Sequence, residues 1–462
     1  MTQDSVFHVA SVTKQFTAMC ILILHERGLL NVNDDVRKYI PDLINFPQSL
    51  TIKQMLNHVS GLREYYDLFN LAGRSNEDHY NQYETREIIA RQTTLNFEPG
   101  TKFLYTNANY MLCATIVERV SGMTYAQFCK ENIFDPLGME NTFIRDNARM
   151  IVPNKVSSYH DDGYAYTNAI LTFGLYGGTG LHTTCRQLHK FLRQYMEPTL
   201  ISRQTMENIM FDIPEINGKK GNYGCGVRIN SFEGHRYIHH GGVNAGYRTV
   251  GRVYPEDDLI ITAFTNTYNI PIETAAADIA RVVLGLSPRV PKNLDAYKAE
   301  SMNMAEIPGI YYCDRNGDNF NITVKDGAVF CDGTPLMPIG GNLFKQGRLN
   351  ITFAFGETNA VNDNNNIMQL RKLTETVDPG IAPDYVGDYF CQDAESHFTV
   401  IWEDEKLLLK HWRFAPKALH YLKDDTFFSG MNSYRFLRDE AGKVTGFLFN
   451  SGHLTDFPFI KK

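Results

Sequence analysis

Up to about residue 290 the chain alternates between helical and strand-like patterning; beyond Pro288 and Pro291 it turns to short alternating strands broken by Gly, Asn and Asp. In the first stretch, apolar positions recur at helical spacing over 14–28, ending at Gly28. They do so again over 110–121, where Leu112, Ile116, Val117 and Val120 form one stripe ahead of Gly122. Residues 51–58 predict a short amphipathic helix with Thr51 near its N-cap, and 186–196 and 272–284 predict two more. The β-rich runs at 247–254 and 259–266 flank the turn Pro255-Glu256-Asp257-Asp258 and predict a hairpin. This mixture is that of an α/β domain.

The C-terminal part repeats itself. Gly309-Ile310-Tyr311-Tyr312-Cys313 returns 78 residues later as Gly387-Asp388-Tyr389-Phe390-Cys391. The same offset pairs Phe320 with Phe398, Ile322 with Val400 and Val329 with Leu407; an offset of 83 then pairs Phe344 with Phe427 and Phe353 with Phe436. Two duplicated antiparallel β domains are expected, each a small closed barrel. The expected boundaries are 1–290 for the α/β domain, 300–374 and 381–462 for the barrels, with 375–380 as the linker between the barrels. A chain of 462 residues is also longer than one core usually serves.

Composition narrows the function. The chain is 43% hydrophobic and 21% charged, as globular proteins are, and its net charge of −7 argues against a nucleic-acid partner. No apolar run reaches membrane-spanning length: the longest, 16–30, is interrupted by His25, Glu26 and Arg27. Eight cysteines stand singly with no C-x-x-C pair, so neither a zinc site nor a redox motif is expected. Cys20, Cys113 and Cys129 fall in apolar helical patterns and read as small buried hydrophobes. No cofactor is called for, and the expected partner is a small-molecule or peptide substrate.

The candidate chemistry begins at Phe7-His8-Val9-Ala10-Ser11-Val12-Thr13-Lys14. Three residues apart at the head of a helix, Ser11 and Lys14 share one face, where the amine can take the hydroxyl proton and make the oxygen a nucleophile. Acyl transfer needs two further elements: a group that shuttles the leaving-group proton, and a strand that pairs with substrate and completes an oxyanion hole. Tyr105-Thr106-Asn107 and Tyr166-Thr167-Asn168 both offer a tyrosine and an amide. The first follows the turn Glu98-Pro99-Gly100 and precedes a helix; the second lies in a Gly- and Tyr-rich loop. Lys219-Lys220-Gly221 and His239-His240-Gly241-Gly242 both offer a basic residue with small neighbours, the latter just ahead of the hairpin. Successive strand residues point to opposite faces, so only one of the two histidines can face a cleft.

Taken in order, Asp4-Ser5-Val6-Phe7, Ser11 with Lys14, Ser60-Gly61-Leu62, Pro99-Gly100 through Asn107, Pro136-Leu137-Gly138-Met139, Tyr223-Gly224-Cys225-Gly226 and His240-Gly241-Gly242-Val243-Asn244-Ala245-Gly246-Tyr247-Arg248-Thr249 resemble the serine β-lactamase and penicillin-recognising family in its class C-like branch. The resemblance spans residues 2 to about 285. It implies an antiparallel sheet flanked by helices, and the two C-terminal barrels look most like the D-aminopeptidase arrangement. It implies Ser11 as nucleophile, Lys14 as its activating amine and Tyr105 as acid and base for the leaving group. Asn107 would hydrogen-bond Lys14 and the substrate amide, His240 would orient the substrate tail, small Gly242 would admit the substrate backbone, and the N–H groups of Ser11 and Val243 would form the oxyanion hole. The reaction implied is metal-independent hydrolysis of small peptides, amides or esters, in an extracytoplasmic setting; no signal peptide is visible in the chain.

Two departures open an alternative. Histidine stands where β-lactamases carry lysine, so the charge at that position is expected to change between about pH 5 and 8. The family also precedes its serine with a helix and two strands, whereas ten residues precede Ser11 here, which would leave a sheet edge open unless an upstream segment exists. A non-catalytic sensor or scaffold that retains the pocket is the competing expectation. Among other residues, His58 reads as a hydrogen-bonded structural histidine, Trp402 and Trp412 as core, and Glu403-Asp404-Glu405 as a solvated turn. Tyr65, Tyr66, Tyr164, Tyr166, Phe173 and Tyr176 suggest a pocket for an apolar or aryl acyl group.

Overall fold

Helix α1 (Thr13–Glu26) is buried from Thr13 through Leu24, as a helix apolar on most sides must be. It is followed by α2 (Ile52–Leu56), α3 (Tyr65–Leu71), α4 (Gln82–Ala90), α5 (Asn107–Ser121), α6 (Tyr125–Cys129), α7 (Cys185–Leu192) and α8 (Ile272–Val283). The computed structural model describes every residue except 44–48, 76–77, 162–164, 289–302, 314–318, 347–350, 357–358, 364–365, 374–379 and 431. One unit holds Met1–Asp161 and Tyr166–Pro288, the other Asp162–Ala165 and Arg289–Lys462.

Capping sets the helix ends. Thr51 and Gln54 form a reciprocal capping box at the start of α2, and the helix is shorter than the pattern predicts because His58 takes a φ of +57°. Helix α5 begins three residues earlier than its apolar stripe, since the Thr106 hydroxyl accepts from Ala108 N–H and so caps it. The packing partner of α1 is α5, whose residues Ala108 through Val117 are all buried. Phe16 stacks on Phe191 at 3.8 Å between ring centres and ties α1 to α7.

The main sheet has four antiparallel strands, β4 (Arg228–Phe232), β5 (His235–Asn244), β6 (Tyr247–Tyr254) and β7 (Leu259–Thr265), in the order β7-β6-β5-β4. The predicted hairpin is β6–β7, paired from Arg248↔Thr265 to Tyr254↔Leu259. A smaller three-stranded sheet joins β1 (Phe7–His8), β2 (Phe143–Ile144) and β3 (Leu181–Thr183) in the order β1-β3-β2. Helix α8 covers one face of the main sheet, where Val250, Tyr254 and Ile261 pack on Ile272, Ala276 and Ala280. The opposite face meets α7, whose Leu188 and Leu192 lie over Gly251.

The second unit contains two closed eight-stranded antiparallel barrels, running from Gly309–Tyr312 to Asn366–Leu373 and from Gly387–Cys391 to Phe457–Lys461. The 78-residue offset is a structural register: Tyr311 opposes Phe320 in one barrel, and Tyr389 opposes Phe398 in the other. Each of these tyrosines donates its hydroxyl proton to the carbonyl four residues earlier, Tyr311 to Ile307 and Tyr389 to Tyr385, both at 2.7 Å. One equivalence differs from expectation. Phe344 opposes Phe353, but Phe427 opposes Tyr434, so the partner of Phe353 is Tyr434 at an offset of 81 and not Phe436. The hairpin of the second copy is two residues shorter. Of the expected linker, 375–379 lie outside the described residues. Trp412, expected in the core, is 74% exposed, and Asp404 and Glu405 form an exposed turn in left-handed conformation. Replacing Tyr311 or Tyr389 by Phe removes one buried donor and strands a carbonyl; each is expected to cost about 1–3 kcal/mol, by similar amounts, in chemical unfolding of the full chain.

Candidate active site

The region around Ser11 is a turn. Ser11 sits in a single 3-10 turn, Ala10–Val12, that leads into α1, and Ala10 takes a φ of +48°, an unusual conformation for a residue with a Cβ. Lys14 is one turn further on and fully buried. Its Nζ lies 3.0 Å from Ser11 Oγ, 2.7 Å from Asn107 Oδ1 and 2.8 Å from Gly178 O. An ammonium would donate a proton to each of the three. A neutral amine has two protons and one lone pair: the two carbonyl oxygens take the protons, and the lone pair is left for the Ser11 hydroxyl. Burial brings the Lys14 ammonium down to about 7, with the Glu64 carboxylate opposing the shift. The amine is therefore poised between its two forms near neutral pH.

Tyr105 packs beside this pair, its ring centre 4.9 Å from Lys14 Nζ. Its hydroxyl is buried without a hydrogen-bond partner among the described residues. Burial drives the phenol well above its ordinary range, with Ser11 pulling the other way, so Tyr105 stays protonated. The segment before α3 shapes the loop that carries it. His58 lies 4.2 Å from the Tyr105 ring, accepts the Thr106 N–H at Nδ1 (3.2 Å) and meets the Asn109 amide through the same nitrogen. Asn109 in turn accepts from Ser60 Oγ at 2.7 Å. His58 is thus a structural histidine, as its sequence context suggests.

Register decides between the two histidines of β5. His239 pairs with Arg252 and His240 with Gly251. Arg252 bonds Glu273 of α8, so His239 lies on the α8 face, where its Nε2 meets Asn230 at 3.0 Å. His240 lies on the opposite face with Tyr105, at 6.2 Å between rings. Both of its nitrogens are occupied: Nδ1–H donates to Gly241 O at 2.6 Å, and Nε2 meets the Tyr223 hydroxyl at 2.9 Å. Burial and the nearby Lys14 hold the imidazole well below its usual range. The expected change of charge between pH 5 and 8 is therefore displaced to lower pH; the imidazole is neutral, and its hydrogen bonds go to protein. Tyr223, quoted above only as part of a motif, is its partner.

Gly242 is where β5 passes the turn that carries Ser11. A Cβ there would stand 2.2 Å from Val9 O and 2.4 Å from Thr249 Oγ1, so no side chain fits without moving the strand. Beside it Val243, 66% exposed, lines with Ser11 and Asn107 a cleft of 980 Å³. Its lining includes the largely apolar side chains of Tyr66, Ile170, Leu171 and Phe173 and the amides of Asn70, Asn168 and Asn244. Of the other expected aromatics, Tyr65 is buried core, Tyr176 stacks on Tyr125, Tyr166 is exposed, and Tyr164 lies outside the described residues. The second Tyr-x-Asn triplet forms an exposed strand, Tyr166–Asn168, whose Thr167 and Asn168 reach the cleft, and Lys219–Lys220 is an exposed two-residue strand. Glu64, missed in the sequence, is brought to the site by the turn after Ser60-Gly61-Leu62. Nothing in its sequence surroundings, where Arg63 precedes it and Asp67 follows, singles it out; only its burial does. Among the described residues no group of three or more His, Cys, Asp or Glu could hold a metal ion, and no helix is long and apolar enough to cross a membrane.

This arrangement of a serine in the turn that leads into the amine's helix, a tyrosine loop and a facing strand has relatives. A family model described as Beta-lactamase matches residues 1–284, and the chain belongs to that family. It is 32% identical over 264 residues to penicillin-binding protein 4* of Bacillus subtilis, covering 54% of this chain and 57% of that protein. It is 25% identical over 285 residues to a D-aminopeptidase of Gluconobacter oxydans, covering 62% and 54%. The chain thus spans about half the length of the curated relatives it matches. Its fold resembles that of an octameric penicillin-binding protein homologue from Pyrococcus abyssi, with a TM-score of 0.57, 20% identity and coverage of 90% and 89%.

Two outcomes are expected. Since only the neutral amine accepts a proton, the rate of Ser11 modification by a fluorophosphonate should fall roughly tenfold per pH unit below the Lys14 value of about 7 and level off above it. Gly242→Ala, by pushing β5 from the Val9 carbonyl, should slow the same modification on the order of a hundredfold while the protein stays folded by circular dichroism.

Proposed function

We propose that the chain is a serine hydrolase that works through an acyl-enzyme on small peptide, amide or ester substrates. The observation that carries this is the Lys14 amine, whose two carbonyl partners leave its lone pair for Ser11 Oγ. In acylation Lys14 takes the Ser11 proton as Oγ attacks the substrate carbonyl. The N–H groups of Ser11 and Val243 receive the developing oxyanion. Tyr105 gives its proton to the departing amine or alkoxide and is reprotonated from Lys14, and the C–N or C–O bond breaks. Water then attacks the ester by the reverse relay and releases the acid.

Asn107 holds Lys14 and offers its amide toward the cleft, Gly242 admits the substrate backbone, and His240 acts as a neutral support for the strand edge. The apolar side chains lining the cleft suit an aryl or aliphatic acyl group, and the D-aminopeptidase relatives make D-aminoacyl amides and esters the first substrates to try. The same kinship favours an extracytoplasmic setting, which fractionation of the native host would read.

The test is intact-mass detection of a fluorophosphonate or penicillin adduct on the full chain. A single adduct is expected, located on Ser11 and lost in Ser11→Ala; an unchanged adduct in that variant sinks the assignment. Labelling without turnover of any D-aminoacyl or short-ester substrate would instead favour a pocket kept for sensing.

A further inference from the structure

Glu64 is a buried carboxylate, 2% exposed, that takes no part in the relay above. Its Oε2 accepts from the Asn107 backbone N–H at 2.6 Å, from Asn107 Nδ2 at 3.1 Å and from the Thr106 hydroxyl at 3.2 Å. Its Oε1 accepts from the Tyr66 N–H at 3.4 Å. Accepting in each of these four contacts is the behaviour of an ionised carboxylate, and the start of α5 is a favourable place for one.

The consequence falls on Asn107. A carboxamide has its donors at one end and its acceptor at the other. With Nδ2 held by Glu64, Oδ1 is turned to Lys14 Nζ, 2.7 Å away. The opposite flip would set an amide oxygen against a carboxylate, which is repulsive, and an NH₂ against the amine, where it would repel the ammonium or occupy the lone pair of the neutral form. We propose that Glu64 is a positioning residue for acyl transfer: it locks the Asn107 amide so that Oδ1 faces Lys14, and it places a negative charge one side chain away from the amine. This rests on the hydrolase reading for the reaction served, though not for the coupling itself.

The other titratable groups facing Lys14 are Tyr105 and Tyr110, whose ring centres are 4.9 and 5.7 Å from Nζ, and the imidazoles of His58 and His240, whose proton affinity Lys14 depresses. Burial holds the two phenols above and the two imidazoles below their usual ranges, so all four are neutral at pH 7. Two charged groups complete the surroundings: Arg228, over the Tyr223 ring, whose positive charge acts on Tyr105, His58 and His240, and Glu64, which opposes the desolvation of the amine. Without its charge Lys14 should lose its proton at lower pH. The acid limb of the reaction should then move to lower pH while the plateau falls, because a weaker base takes the serine proton less well.

The experiment titrates Lys14 in the full chain carrying ¹³C-labelled lysine, its signal identified by loss in Lys14→Arg, in wild type, Glu64→Gln and Glu64→Asp. The Glu64→Gln midpoint is expected to fall by about half a unit or more, and Glu64→Asp to lie between it and wild type. The acid limb of fluorophosphonate labelling should shift the same way, with the plateau down roughly tenfold. An unchanged midpoint in a folded Glu64→Gln protein overturns the proposal. Should that variant fail to fold, a Glu64→Asp protein matching wild type in midpoint and plateau overturns it equally. A shifted midpoint with no Ser11 labelling in any of the proteins would uphold the coupling and reject the hydrolase reading.

Discussion

The burial of one amine constrains the rest of the site. Lys14 lies inside the first unit, where an ammonium loses its hydration, and two carbonyl oxygens together with a serine hydroxyl replace that water. Each partner comes from a different part of the chain: Ser11 from the turn before α1, Asn107 from the first residue of α5, and Gly178 from the loop before β3. The packing of α1 against α5 thus does two things at once. It builds the core, and it sets the distance between the amine and the amide that polarises it.

Around that amine the protein uses neutral groups with altered proton affinity. Tyr105, Tyr110, His58 and His240 are all buried, and all are held uncharged across the pH range in which the amine titrates. A second cation here would suppress protonation of Lys14 further, and several anions would fix it as an ammonium. One carboxylate at one remove is a compromise: it lets the amine titrate near neutrality without pinning it. The neutral His240 fits the same logic, since a lysine at its buried position on β5 would bring a second ammonium close to Lys14.

The second unit shows duplication at the level of contacts. Equivalent tyrosines close equivalent turns with the same hydrogen bond, and the register is preserved through the first strands of each barrel. Equivalence slips at hairpins, one five residues longer and a later one two residues shorter in the second copy, where loop length can change while the ladders on either side are kept.

Local features were legible in the amino-acid sequence by itself. Helical periodicity, capping residues and the Pro255–Asp258 turn placed α1, α2, α5, α7, α8 and the β6–β7 hairpin, because each depends on residues a few positions apart; α3, α4, α6 and the short strands went unpredicted. The repeat declared two barrels, and the spacing of Ser11 and Lys14 declared a shared helix face. Tertiary structure alone decided whatever depends on burial or on which sheet face a residue occupies. It separated His240 from His239, since Gly251 and Arg252 lie on opposite faces of β6, and it removed the charge expected of that histidine by enclosing both of its nitrogens. It moved Tyr65 from the cleft into the core, set Tyr176 half-buried against Tyr125, and moved Trp412 from the core to the surface. It brought Glu64 to the start of α5, 43 residues away along the chain. Proton affinity and facing direction depend on what the fold packs around a group, and residue type and spacing do not carry that information.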